Sequence, residues 1–315
     1  MTDLNVLFLG ASKRVSLLER FCDSSRFLGI NLNIFSCEKN SDFYPISHLA
    51  TVIGGPDFLS EGFPKYLESC LERYKINIVI PNMDSAAVAL SRFKHLHKNQ
   101  EKNVYFAVSD KSLCEVMYNK TAAGEFFHSH GISAPCNTPG RFPKIVKPVN
   151  GFGSKGIVRA ANDIDLNSNK EYRDVSKYLI QDLIIGQETT LDFYVSPVKG
   201  LVGYVLRDRL EVSDGEVMVC TTRLPTSQES ELVAKLSSIP GWEGCITAQY
   251  IRNNDGINIV EVNPRFGGGA TCSIEAGLNM PLFILSDYLG KDYQIPLKIN
   301  NIKMTRARRD FFHEI

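Results

Sequence analysis

The feature that most limits the fold is a change of periodicity near residue 109. Before it, short apolar runs at 5–9 (NVLFL), 31–35 (NLNIF), 76–80 (INIVI) and 104–108 (VYFAV) alternate with segments at 13–22, 63–73 and 84–95 whose apolar residues recur at helical spacing. Strands separated by helices form a parallel sheet covered on both faces, because a parallel pair needs a long crossover and a helix supplies it. Beyond it, runs at 144–147, 156–160, 178–183, 189–195, 201–212, 245–252 and 257–262 read as strands with few helices between them. That pattern predicts antiparallel sheets in an α+β lobe pair. Helices are expected at 119–130, closed by Gly131, at 227–239, and at 273–288, the last broken by Pro281.

Composition narrows the chemistry. Lys and Arg number 35, and so do Asp and Glu, giving a net charge of zero in a chain of 315 residues. Nonspecific nucleic-acid binding draws on a surplus of cations, so no nucleic-acid partner is expected. No run approaches the ~20 apolar residues that span a bilayer, and the start MTDLNVLFLGASKR lacks a basic lead, so the expectation is a cytoplasmic protein without a membrane partner. Eight scattered cysteines without a CxxC pair read as buried reduced thiols. His95/His97 and His128/His130 sit at a spacing of two in expected helices, which turns the rings apart and argues against a chelate.

Three segments carry chemistry. In Ile145-Val-Lys-Pro-Val-Asn-Gly-Phe-Gly-Ser-Lys-Gly-Ile157, a strand delivers Lys147 into a loop. There Gly151, Gly153, Ser154 and Gly156 let backbone N–H groups approach phosphate oxygens. A glycine-rich hairpin with a solvated Lys155 is the alternative. In Glu261-Val-Asn263-Pro-Arg265, Glu261 and Asn263 share a strand face, and the Asn253-Asn-Asp-Gly256 turn can bring Gln249 beside them. Three hard oxygen donors suit Mg²⁺, and the planar fork of Arg265 suits phosphate or carboxylate. In Ile180-Gln-Asp-Leu-Ile-Ile-Gly-Gln-Glu188-Thr-Thr-Leu-Asp192, free backbone groups can pair with an adenine edge and Glu188 can accept from ribose, with ordinary solvated positions as the alternative for its charged residues. Arg207, Arg209 and Arg223 are candidates for holding a carboxylate, with a solvated basic face as the alternative. Thr271 and Ser273 would cap a helix or line an acceptor pocket. The turn Gly10-Ala-Ser-Lys-Arg-Val after the first strand resembles a phosphate-binding turn without spelling GxGxxG.

In order and spacing, Lys120, the Lys147 strand with its loop, Gln181–Ile184, Glu188, Gln249 and Glu261-Val-Asn-Pro-Arg-Phe-Gly-Gly resemble the ATP-grasp superfamily. The branch is similar to single-module ligases like the carbamoyl-phosphate synthase large subunit, including the pyrrolysine-biosynthesis ligase group. The resemblance implies a Rossmann-like pre-ATP-grasp domain over 1–109 and a two-lobed ATP-grasp domain over 110–315. The small lid lobe would run to about 185 and the C-terminal lobe from about 186. It implies ATP as co-substrate and Mg²⁺ or Mn²⁺, with Lys120 and Lys147 on phosphates and the 151–156 loop closing over them. Gln181, Asp182, Leu183 and Ile184 would form the adenine hinge, and Glu188 would bind ribose. Gln249, Glu261 and Asn263 would hold the metal, with Arg265 near the γ-phosphate and Arg207 and Arg209 toward the acid. Gln181 departs from the glutamate common at that hinge.

The expected activity is an ADP-forming carboxylate–amine ligase acting on small molecules, with a homodimer left open by uncovered sheet edges. A nucleotide-binding regulatory or scaffold protein without turnover is the alternative. A dinucleotide-dependent oxidoreductase is a third reading, weakened by the missing GxGxxG. The acid and amine have no motif in the sequence.

Overall fold

The computed structural model describes residues 2–40, 44–97, 103–151, 156–168, 170–213, 215–294 and 299–312. Its first layer contains β1 (Asp3–Leu9), α1 (Val15–Leu28), β2 (Asn31–Glu38), β3 (Thr51–Gly54), α2 (Phe63–Arg73), β4 (Ile78–Pro81), α3 (Asp84–Leu96) and β5 (Tyr105–Phe106). The strands pair in parallel in the order β3-β2-β1-β4-β5. Successive side chains of a strand point to opposite faces, and β1 feeds a core on each. Leu4, Val6 and Phe8 pack with Leu17, Leu18 and Phe21 of α1. Leu7 and Leu9 pack with Phe63 and Leu67 of α2 and with Leu90 and Phe93 of α3. The chain moves outward from β1 to β3 and then returns to place β4 on the other side of β1. Connections therefore leave the C-terminal ends of β1 and β4 in opposite directions, which opens a crevice there.

Next come α4 (Lys111–Tyr118) and α5 (Lys120–Ser129). The Asn119 side-chain oxygen accepts from the N–H groups of Thr121 and Ala122 and so caps α5, while Gly131, at φ +64°, takes the left-handed turn after it. A small antiparallel sheet follows, in the order β7-β6-β8, from β6 (Lys144–Pro148), β7 (Val158–Ala160) and β8 (Tyr178–Asp182), with α6 (Asp163–Asn167) between the last two. The remaining elements are β9 (Gln187–Ser196), β10 (Gly200–Ser213), β11 (Glu216–Arg223), α7 (Ser227–Ser237), β12 (Gly244–Asn253), β13 (Gly256–Asn263), α8 (Ala270–Glu275), α9 (Met280–Leu289) and β14 (Lys303–Thr305). Their strands form a six-stranded antiparallel sheet in the order β13-β12-β9-β10-β11-β14.

Phe266, Ala270, Phe283 and Ile284 lie in the same core as β1 and α1, so the first layer and the large sheet share apolar packing. At roughly 1.5–3 kcal/mol per buried large apolar side chain, that packing joins them firmly. A third core, with Leu191, Phe193, Leu206 and Tyr250, sits under the other face of the large sheet against Phe127 of α5 and Leu232 and Leu236 of α7.

Several local expectations need correction. The helix read over 273–288 is two helices, and Pro281 does not break it: it lies in the first turn of α9, where its missing N–H costs no bond. The break is at Gly277, whose φ of +123° disfavours any other residue. Neither Thr271 nor Ser273 caps α8, whose N-cap is Gly269 with no side-chain bond. The strands β3, β11 and β14 escaped the periodicity, β3 and β14 because four or three residues are too few to show a period. Six cysteines are buried, Cys22 is intermediate, and Cys136 is exposed in the irregular segment before β6. No helix among the described residues is long and apolar enough to cross a membrane.

Candidate active site

Period-two alternation sorts the large sheet into an apolar face and a polar one. On the polar face, β9 contributes Glu188, Thr190 and Asp192, β10 Arg207 and Arg209, β12 Thr247 and Gln249, and β13 Glu261 and Asn263. Register aligns them: Gln249 stands opposite both Thr190 and Glu261, Thr247 opposite both Asp192 and Asn263, and Arg207 opposite Thr190. The Asn263 amide donates to Glu261 Oε1 at 3.1 Å. The three predicted oxygen-donor residues thus sit side by side.

Within the run Gly267-Gly268-Gly269, the first and third glycines have a steric reason, while a Cβ on Gly268 would meet only Arg14 Nη1, at 3.8 Å. A Cβ on Gly267 would fall 2.7 Å from Thr247 Cγ2, and one on Gly269 would collide with the Arg207 guanidinium. Only glycine lets the backbone lie this close to the polar face. A cavity of about 210 Å³ remains, walled on the sheet side by residues that include Thr190, Arg207, Gln249, Glu261 and Asn263. Across from them stand Arg14, from the turn after β1, Asn82 and Met83, from the connection after β4, and Asp84, the first residue of α3.

The predicted arginines reach the cavity already engaged. Arg207 is 1% exposed and places Nε and Nη2 each 2.8 Å from Asp192 Oδ2. Asp192 also accepts from Ser273 Oγ at 2.6 Å and from Thr247 Oγ1 at 2.7 Å. The solvated-face alternative for Arg207 therefore fails: the side chain is buried and neutralised. Arg209 lies 3.1 Å from Glu188 Oε1, so the residue expected to hold ribose is already in an ion pair. Burial pushes the Glu188 carboxyl up, Arg209 opposes that, and Glu261 adds to it. Arg265 grips Asp84 with Nε and Nη2 at 2.7 and 3.0 Å, tying the glycine turn to the first layer. Arg223 faces the other side, bound to Asp208 and Glu229, and does not join the site.

The small sheet brings the predicted phosphate and base groups. Lys147 on β6 is 5% exposed and forms no hydrogen bond or ion pair among the described residues. Burial pushes its ammonium down to about 8, with Glu261 opposing and Lys120 reinforcing that shift. Lys120 Nζ donates to the Gly151 carbonyl at 2.9 Å, so the start of the predicted loop is tethered to α5. Gly151 and Gly156 adopt φ of +142° and +73°; Gly153 and Ser154 lie outside the described residues. Gln181 donates through Nε2 to the Pro135 carbonyl at 2.7 Å, leaving Oε1 buried without a partner. In the expected adenine hinge, the N–H groups of Asp182 and Leu183 are used internally by the carbonyls of Cys136 and Pro143. The Asp182 carboxylate is tied to Lys144 and Thr138. Among the described residues, the Ile184 N–H and the Gln181 amide oxygen have no hydrogen-bond partner.

The sequence reading missed Arg14, Asn82, Asp84, Thr190, Asp192 and Thr247. The one available signal was the turn after the first strand, which contains Arg14. Glu38, at the end of β2, accepts from Ser36 Oγ at 2.6 Å, and Ser36 Oγ in turn accepts from the Ala11 N–H at 3.3 Å. The acid that would hold a dinucleotide ribose in a Rossmann fold is here tied to the base of its own turn.

Residues 174–309 match the family described as ATP-grasp in the biosynthetic pathway with Ter operon. No curated protein sequence matches the chain at a significant level. Among solved structures, N5-carboxyaminoimidazole synthetase from Staphylococcus aureus, complexed with ADP, superposes with a TM-score of 0.76 at 14% identity, over 98% of this chain and 83% of that one. Biotin carboxylase from Campylobacter jejuni, as a β,γ-ATP complex, gives 0.69 at 13% identity over 94% and 73%. L-amino acid ligase from Bacillus licheniformis gives 0.68 at 16% identity over 92% and 75%. The chain has the ATP-grasp fold with a preceding N-terminal domain.

Proposed function

We propose that this chain, built on the ATP-grasp fold, is an ATP- and Mg²⁺-dependent ligase that joins a carboxylate to an amine and releases ADP. The observation that carries the proposal is the combination of three side-by-side oxygen donors with a lysine, 5% exposed, that forms no hydrogen bond or ion pair among the described residues and feels the charge of one of those donors, Glu261. Gln249, Glu261 and Asn263 share one face of the large sheet, and Lys147 belongs to the small sheet. A buried lysine without a partner is costly, and a phosphate chain would satisfy it. The unpartnered Gln181 oxygen suits the donor amino group of adenine. We place the pre-ATP-grasp domain at 1–109 and the ATP-grasp domain at 110–315, in the cytoplasm.

The donor set fits Mg²⁺, which prefers one or two carboxylates with other oxygens and nucleotide phosphates. Bound there, the ion would neutralise charge on the phosphate chain. In the proposed reaction, a carboxylate oxygen of the acid attacks the γ-phosphorus and the bond to the β-bridging oxygen breaks, releasing ADP and leaving an acyl phosphate. The amine nitrogen then attacks the acyl carbon, the carbon–oxygen bond to phosphate breaks, and a proton passes from nitrogen to solvent. The chain's part is positioning and charge neutralisation. With ¹⁸O-labelled acid, one label is expected in the released phosphate. AMP and pyrophosphate, or unlabelled phosphate during amide formation, would overturn this mechanism.

Lys147→Ala is expected to weaken ATP binding by about 10- to 100-fold and adenosine binding by less than about threefold, because the ammonium addresses phosphate alone. Calorimetric titration with both ligands checks this. The pH dependence follows from the lowered ammonium. Phosphate favours the protonated form, so ATP affinity falls as pH rises through about 8, and binding just above that pH takes up a proton. Equal losses for ATP and adenosine would remove Lys147 from the phosphate site.

A further inference from the structure

The cavity's arginines differ in one respect. Arg207 has Asp192, Arg209 has Glu188 and Arg265 has Asp84. Arg14 has no carboxylate: its Nη2 donates to the backbone carbonyls of Phe266 and Gly267, at 3.2 and 2.6 Å. Its Nε is buried without a partner, and its Nη1 forms no hydrogen bond among the described residues. The guanidinium is thus anchored at one end and forms no ion pair among the described residues, with Glu216 and Asp192 acting on it only at longer range. Burial, with Arg265 and Arg306 reinforcing it, pushes its pKa down to about 10, which leaves it charged at neutral pH.

Asn82 complements it. Its side-chain Nδ2 donates to the Gly10 carbonyl at 3.3 Å, on the same turn that bears Arg14, and its Oδ1 is buried with no donor. An acceptor without a donor and a cation without an ion-pair partner among the described residues line the same cavity. They come from the connections that leave the C-terminal ends of β1 and β4, where the strand order of the parallel sheet reverses and a ligand crevice is expected. Buried polar groups left unpaired call for an explanation, and a ligand of matching chemistry supplies one.

We infer that the crevice between β1 and β4 binds the α-amino-carboxylate headgroup of an amino acid, with Arg14 taking the carboxylate and Asn82 Oδ1 accepting from the ammonium. The inference rests on the ligase reading, since it names one of the two molecules to be joined. A free phosphate or a dicarboxylate would satisfy Arg14 but leave the Asn82 acceptor without a donor.

The test uses the full chain with Mg²⁺ and a non-hydrolysable ATP analogue, and thermal shift against the twenty common L-amino acids. Their α-amides, their N-acetyl forms, inorganic phosphate and succinate complete the panel. At least one free amino acid is expected to give a saturable shift. Its amide, lacking the carboxylate, and its N-acetyl form, lacking the ammonium, are each expected to bind about 10- to 100-fold more weakly. Arg14→Ala should erase the discrimination against the amide and Arg14→Lys should keep part of it; Asn82→Leu should erase the discrimination against the N-acetyl form. Unliganded melting points report whether each variant folds, and Arg14→Lys carries the test if Arg14→Ala does not. Overturning results are a shift with phosphate or succinate but no amino acid, no shift with any member of the panel, or discrimination that survives the substitutions. ADP release separates the two readings: amino-acid binding without ADP release under any acid–amine pair defeats the ligase reading and spares the headgroup site.

Discussion

Asp192→Ala is expected to destabilise the protein by about 3–5 kcal/mol, read as a shift of the urea midpoint at unchanged slope. Asp192 and Arg207 have side chains each 1% exposed, and the carboxylate meets two guanidinium nitrogens and two hydroxyls. Removing it strands a full positive charge on a side chain only 1% exposed and leaves the Ser273 hydroxyl short of an acceptor, whereas Thr247 keeps the Arg265 carbonyl at 3.2 Å. Asp192→Asn should cost less, because the amide oxygen keeps one acceptor, yet more than an exposed pair, which is worth at most about 1 kcal/mol. As a contrast, breaking the exposed Arg20–Glu275 pair should be nearly silent. A midpoint for Asp192→Ala equal to wild type would mean that Arg207 finds another anion or leaves the interior.

Glu261→Ala is expected to lower Mg²⁺-dependent ADP release by about three orders of magnitude, or about 4 kcal/mol of transition-state stabilisation, with the melting point close to wild type. The carboxylate is the one anionic member of its donor set. Its recorded hydrogen bond comes from Asn263, at 3.1 Å, so its loss costs the fold little. Raising Mg²⁺ or substituting Mn²⁺ should recover part of the rate if the deficit is one of metal affinity. Wild-type turnover in the variant would remove Glu261 from the metal site.

The parallel sheet was legible because its central strands β1 and β4 are buried on both faces and read as apolar runs, whereas β3, four residues that are not buried, was not. The Gln249, Glu261 and Asn263 cluster was legible because period two puts alternating residues on one face, and a four-residue turn fixes the register between two strands. The charges on the arginines were legible, but their partners were not. Asp192 sits inside the strand Thr189-Thr-Leu-Asp-Phe-Tyr-Val195, where a single acid among apolar residues gives no hint of what it faces. Asp84 meets Arg265 across 181 residues of sequence, a pairing that only the assembled fold defines. The glycine run was visible from the start, whereas the reason for its first and third members was the bulk of Thr247 and Arg207 beneath them.

The Arg14 and Arg265 contacts cross the molecule between segments 253 and 181 residues apart. A chain emerging from synthesis folds its parallel sheet well before residues 265–267 exist, and domains generally fold as they emerge. The cavity thus comes into being only once residues 261–269 have been made and docked. Until then the wall with Arg14 faces open solvent, and the donors of β13 have not been joined to it. Competence to gather reactants arrives late and all at once, so an unfinished or truncated polypeptide holds the first half of a pocket and no place to do chemistry.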